Sequence, residues 1–145
     1  MELNTDVRLS QEDVMSLLNH FDDSSDIPLH EGLDFVSYSE KLSKYAHFVL
    51  AIEKEKQLGF IAYYLNDEKK FVYIPQIVVH RDGRHQGIGH LMLNILCSRY
   101  AGKYECVNLE VLKDNMNARR FYEREGFGVI EDHNERLLLK KSILL

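Results

Sequence analysis

The sequence predicts an α/β fold built on a mixed sheet. Residues 71–79 are rich in β-branched and aromatic side chains and read as a strand. A Gly-bearing turn follows, after which Ile88, Leu91, Met92, Ile95 and Leu96 recur at helical spacing and predict one apolar stripe. The same strand–turn–helix order returns over 104–125, with further strand-like runs on both sides, so strands and helices alternate.

Taken in order, residues 1–9 form a short edge strand with a poor pattern. Ser10, Gln11, Glu12 and Asp13 read as a capped helix start, with Val14, Leu17, Leu18 and Phe21 on one face. Asp22 to Gly32 is a polar loop containing Pro28, and Leu33, Val36 and Leu42 suggest a second helix over 33–45. Strands at 48–52 and 58–65 are joined as a hairpin by a charged turn at 53–57. The next turn, 66–70, leads into a long strand over 71–80. Pro75 lies inside it and cannot donate to a ladder, which implies an edge, a bulge or a splay. A helix over 87–100, a strand over 104–111, a helix over 115–125 and strands near 127–131 and 135–140 complete the chain.

At 145 residues the chain, 1–145, is expected to form one domain with a substantial core. A net charge of −5, without a basic stripe interleaved with aromatics, argues against nucleic-acid binding. Cys97 and Cys106 lack Cys-x-x-Cys spacing and read as buried thiols of a reducing compartment. The seven histidines show no ligand spacing, so no metal is expected. No signal peptide and no membrane-spanning run is visible, which makes the cytoplasm the expected location.

The chemistry concentrates at Arg84, His85, Gln86, Gly87, Ile88 and Gly89. A Gly-rich turn at a helix start gathers backbone N–H groups and the positive end of the helix dipole, which suits a phosphate. Arg81 and His90 add local positive charge. A P-loop would need Gly-Lys-Ser/Thr, but Gly89 is followed by His90 and Leu91. A dinucleotide fingerprint would need a third glycine where Met92 stands. What remains, Arg84-x-x-Gly87-x-Gly89, resembles the pyrophosphate-binding loop of the GNAT superfamily of acyl-CoA-dependent N-acyltransferases. Downstream, Leu109-Glu110-Val111 and then Asn115, Ala118, Phe121, Tyr122, Gly126 and Phe127 resemble that family's strand, Asn-x-x-Ala-x-x-Phe-Tyr helix and closing Gly-Phe.

The resemblance implies the GNAT fold: a mixed, mostly antiparallel central sheet, splayed between strands 4 and 5 and flanked by helices. It implies acetyl-CoA as cosubstrate, with the backbone of residues 84–89 on the pyrophosphate and that of Ile77, Val78 and Val79 on pantetheine. Asn115 matches the family residue that contacts the cofactor, and it also reads as a helix N-cap. Tyr122 matches the tyrosine near the cofactor sulfur that acts as general acid, and it equally fits a core position. Glu110 resembles the proposed base of bacterial ribosomal-protein N-terminal acetyltransferases, with a cross-strand ion pair as the alternative. Tyr73 and His80 are alternative relays through water, and Gln76 can only orient a group.

The implied reaction is acetyl transfer to a primary amine of a small molecule, an aminosugar among them, or of a peptide. Protein N-terminal or lysine acetylation, and a CoA-binding module without turnover, are the alternatives; a homodimer is left open. The acceptor sets the demand on the base. A lysine-like amine needs about 4.6 kcal/mol to present its neutral form at pH 7, an α-amino group only about 1.4 kcal/mol.

Overall fold

The computed structural model describes residues 1–24, 34–83 and 86–144. Among these the chain forms β1 (Glu2–Val7), α1 (Gln11–Ser24), α2 (Phe35–Tyr45), β2 (His47–Glu53), β3 (Lys56–Asn66) and β4 (Phe71–Val79). After a 3₁₀ turn over Arg81–Gly83 come α3 (Ile88–Tyr100), β5 (Cys106–Leu112), α4 (Met116–Arg124), β6 (Gly128–Asp132) and β7 (Arg136–Ser142). The strands form one sheet in the order β1-β2-β3-β4-β5-β7-β6. β4 and β5 pair in parallel, as the crossover through α3 requires, while β1–β2, β2–β3, β5–β7 and β6–β7 are antiparallel. The parallel register runs from Phe71↔Cys106 to Ile74↔Leu109, one residue before Pro75, and β4 itself continues to Val79.

The chain divides into two compact units, Met1–Tyr63 with Gln76–Met92, and Tyr64–Pro75 with Leu93–Leu145. In the first, Phe48, Val49, Leu50 and Ala51 are all buried, so β2 is covered on both faces and shows no alternation. The β2–β3 turn is tighter than the sequence suggests, because Lys54 (φ 49°) and Glu55 (φ 68°) both take the left-handed conformation that a two-residue hairpin needs. On α1, Val14, Leu17, Leu18 and Phe21 are buried as the periodicity predicts, and Ser10 Oγ accepts from Asp13 N at 3.1 Å. Helix α1 runs through Ser24, so residues 22–24 of the expected loop are helical; the remainder, with Pro28 and Leu33, lies outside the described residues. Helix α2 is capped by Asp34, which accepts from Val36 N and Ser37 N at 3.0 and 3.4 Å. It buries Leu42 and Ser39 but leaves Val36 57% exposed, against the expected apolar face. β1 pairs with β2 through an irregular register between Asn4 and Val7, where Asp6 has φ 55°.

In the second unit β5 alternates. Val107, Leu109 and Val111 are buried, while Asn108 and Glu110 stand half-buried on the other face. The buried side chains gather with Leu96, Tyr100, Tyr122, Phe127, Leu137 and Leu139 in the core. Cys97 and Cys106 are buried free thiols. The expected stripe on α3 is shifted: Ile88, Met92, Leu93 and Leu96 are buried, whereas Leu91 is 37% exposed. β6 is exposed along its whole length, with a register shift between Val129 and Glu131.

Candidate functional site

In the first unit, β4 ends in Ile77, Val78 and Val79, all half-buried, and His80 N donates to Leu58 O at 2.7 Å. Gly83 N then donates to His80 O at 2.8 Å and closes the 3₁₀ turn. Arg84 and His85 lie outside the described residues. Gln86 and Gly87 form the exposed turn into α3, and Gly87 has φ +72°, which a Cβ disfavours. A Cβ built there would nevertheless meet nothing within 4 Å among the described residues. Leu91 N donates to Gly87 O at 2.9 Å, which makes Gly87 the N-cap and leaves the N–H groups of Ile88 and Gly89 ahead of the helical ladder. Backbone donors at a helix N-terminus are the kind of group that can hold an anion.

Two further glycines, to which no motif pointed, set where that helix begins. A Cβ on Gly83 would lie 2.7 Å from Ile88 Cδ1, and one on Gly59 would lie 2.9 Å from Met92 Cε, 3.1 Å from Val78 O and 3.2 Å from Ile88 Cγ2. The first turn of α3 is seated in the space these missing side chains leave. Nearby, His80 stacks on His20 with ring centroids 5.1 Å apart, and Gln76 accepts from the Tyr38 hydroxyl at 3.3 Å. His80, one of the two expected relays, and Gln76, expected only to orient a group, are thus both engaged within this unit.

In the second unit, Asn115 is the N-cap of α4: its Oδ1 accepts from Ala118 N at 3.1 Å. Tyr122 is the buried residue of α4, 7% exposed, between the rings of Phe121 and Phe127 at 5.3 and 5.6 Å. Glu110 points away from Leu109 and Val111, as the alternation predicts. Its Oε1 accepts from the Tyr73 hydroxyl at 3.4 Å, and its Oε2 lies 3.0 Å from His133 Nδ1. Tyr73 and Glu110 are therefore brought together. His133 is an addition that the sequence did not single out, and no local pattern marks it.

A model of the acetyltransferase (GNAT) family matches residues 13–127. The chain belongs to that family. Solved structures agree in fold: the ribosomal-protein-S18-alanine N-acetyltransferase of Escherichia coli superposes with a TM-score of 0.78 at 15% identity, over 99% of this chain and 94% of that one. The PaiA N-acetyltransferase of Thermoplasma acidophilum, solved with coenzyme A, gives 0.76 at 19% identity, over 98% and 99%. An aminoglycoside 6′-acetyltransferase of type Ii gives 0.78 at 18% identity, over 100% and 99%. No curated protein matches the chain in sequence.

The electrostatics of this GNAT chain sort its candidate groups. Burial holds the Tyr122 hydroxyl far above the ordinary phenol range, so it keeps its proton rather than ionising. Burial, and then the Glu110 carboxylate, also raise Tyr73, so its hydroxyl holds its proton more firmly than an ordinary phenol. Among the described residues no group of three or more His, Cys, Asp or Glu side chains could hold a metal, and no helix is long and apolar enough to cross a membrane.

Proposed function

We propose that this GNAT chain, acting as one domain, transfers an acetyl group from acetyl-CoA to a primary amine of a small molecule or peptide. The observation that carries the reading is the start of α3, where Gly87 at φ +72° opens the backbone and the Ile88 and Gly89 amides precede the helical ladder. Residues 84–89 hold the pyrophosphate, and the backbone of Ile77, Val78 and Val79 holds the pantetheine arm. Bound acetyl-CoA supplies an activated acyl carbonyl. Asn115 keeps its Nδ2 for the cofactor while Oδ1 caps α4. Tyr122 donates a hydrogen bond to sulfur as charge builds there, which stabilises the leaving group without full proton loss. Glu110 receives the amine proton. Asn108, on the same strand face, buries an Oδ1 with no hydrogen-bond partner among the described residues. The presence of both Glu110 and Tyr122 favours turnover over a module that only binds CoA.

Thiol release from acetyl-CoA, measured with glucosamine, an alkyl diamine and a short peptide carrying free α-amino and lysine groups, tests the reading. Transfer to at least one of them is expected, together with a thermal shift worth about 2.7 kcal/mol when acetyl-CoA is at ~100 times its dissociation constant. No stabilisation by millimolar acetyl-CoA refutes the reading.

A further inference from the structure

A line of four polar groups crosses the second unit. The Tyr73 hydroxyl donates to Glu110 Oε1 at 3.4 Å, Glu110 Oε2 lies 3.0 Å from His133 Nδ1, and His133 Nε2 lies 2.6 Å from Glu131 Oε2. The line runs outward, because the Glu110 side chain is 30% exposed, that of His133 43% and that of Glu131 58%. The turn carrying His133 is held by other bonds as well. His133 N donates to Arg136 O and Lys113 N to Glu135 O, both at 2.8 Å, and Lys113 Nζ grips Asp132 at 2.8 Å. The imidazole is therefore presented to Glu110 by a fixed hairpin.

We infer that His133 is the proton exit of Glu110, a positioning residue that takes the amine proton from the carboxylate and passes it by way of Glu131 to water. The inference rests on the reading of Glu110 as the group that receives that proton. An imidazole is in general a stronger base than a carboxylate and so a better store for an ammonium proton. The transfer balances without any co-reactant. An N–H bond of the ammonium breaks as an O–H forms on Glu110. That O–H breaks as Nδ1–H forms on His133, which restores the carboxylate, and the imidazolium then gives up its Nε2 proton to Glu131 or water. The ring accepts on Nδ1 only as its neutral Nε2–H tautomer; the exit leaves the Nδ1–H tautomer, which proton exchange with water returns to the Nε2–H form before the next cycle.

The groups that face this line are Tyr73 on β4, Glu110 on β5, Lys113 just after it, Glu131 and Asp132 on β6, and Arg136 on β7. Carboxylates dominate near the ring: the hydrogen bond to Glu110, then that to Glu131, raise His133 above its ordinary 6.5. Asp132 is offset by Lys113, and Arg136 acts on Tyr73. A raised imidazole is neutral, and able to accept, only above that raised value, so turnover should climb with pH through it.

The test uses the full chain with acetyl-CoA and the best amine of the three above. His133→Asn keeps a polar amide beside Glu110 but cannot titrate. It should lower kcat at pH 8 by about 10²-fold, leave KM for acetyl-CoA unchanged and displace the acidic limb of the pH–rate profile downward. Separately, the His133 ring followed by nitrogen NMR should titrate above its ordinary 6.5 in the wild type and lower in Glu110→Gln. An acidic limb that does not move in His133→Asn, or a His133 midpoint indifferent to Glu110→Gln, overturns the inference while acetyl transfer stands. Absence of transfer to all three amines by the wild type defeats the acyltransfer reading, and this inference with it.

Discussion

Gly59→Ala perturbs the proposed cofactor cradle without touching it. The new methyl would lie 2.9 Å from Met92 Cε, 3.1 Å from Val78 O and 3.2 Å from Ile88 Cγ2. The Met92 methyl is the end of a flexible chain and can swing aside. Val78 O is backbone of β4, and the Ile88 side chain is held in the core at the first turn of α3, so β3, β4 or the helix start must move by a few tenths of an ångström. Overpacking of this kind costs about 1–3 kcal/mol, and replacing a strand glycine by alanine returns about 0.5–1 kcal/mol. The difference is a net loss of about 0–2.5 kcal/mol, and each kcal/mol lowers the melting temperature by roughly 2–4 °C for a chain near this size. Because the displaced element is the one that aims the Ile88 and Gly89 amides, acetyl-CoA affinity should fall as well. Melting followed by circular dichroism, with and without acetyl-CoA, and calorimetric titration read both effects. A variant as stable as the wild type that binds acetyl-CoA equally well would refute the claim that packing at Gly59 seats the helix.

Gly87→Ala separates conformation from contact: among the described residues its Cβ meets no atom within 4 Å, so melting should register mainly the left-handed φ, about 1–2 kcal/mol. Its acetyl-CoA affinity should drop about 10–100-fold, the worth of one charge-assisted hydrogen bond, and unchanged affinity would make the turn a mere connector. Tyr122→Phe should fold and bind acetyl-CoA like the wild type but lose about 10²–10³-fold in kcat; unaltered kcat would leave the ring as core packing alone.

What the sequence made legible was what is written locally. The strand, turn and helix around Gly87 could be read because turn chemistry and the 3.6-residue period lie in adjacent residues. The outward direction of Glu110 followed from strict alternation with Leu109 and Val111, and the Asn115 cap from its place before α4. What stayed hidden depends on contacts between distant residues. His133 reaches Glu110 only because β5 and β7 pair from Leu112↔Arg136 onward, which brings the β6–β7 turn beside β5. Gly59 reads as an unremarked strand residue until a helix packs against it. The burial of Leu93 in place of Leu91 has the same origin, since periodicity gives the width of an apolar stripe but not which flank meets the core.

The outermost strands have a consequence for assembly. β1 is interrupted between Asn4 and Val7, where Asp6 turns left-handed, and β6 is broken between Val129 and Glu131 and ends in two acids. An uninterrupted edge would template a further strand, whereas a kinked edge carrying carboxylates resists one. Val129 and Ile130, 55% and 49% exposed, would otherwise make β6 a nucleus for fibrils. Any self-association should therefore use side-chain faces rather than continue the sheet from molecule to molecule, and concentrated solutions should stay free of cross-β aggregate while the native state persists.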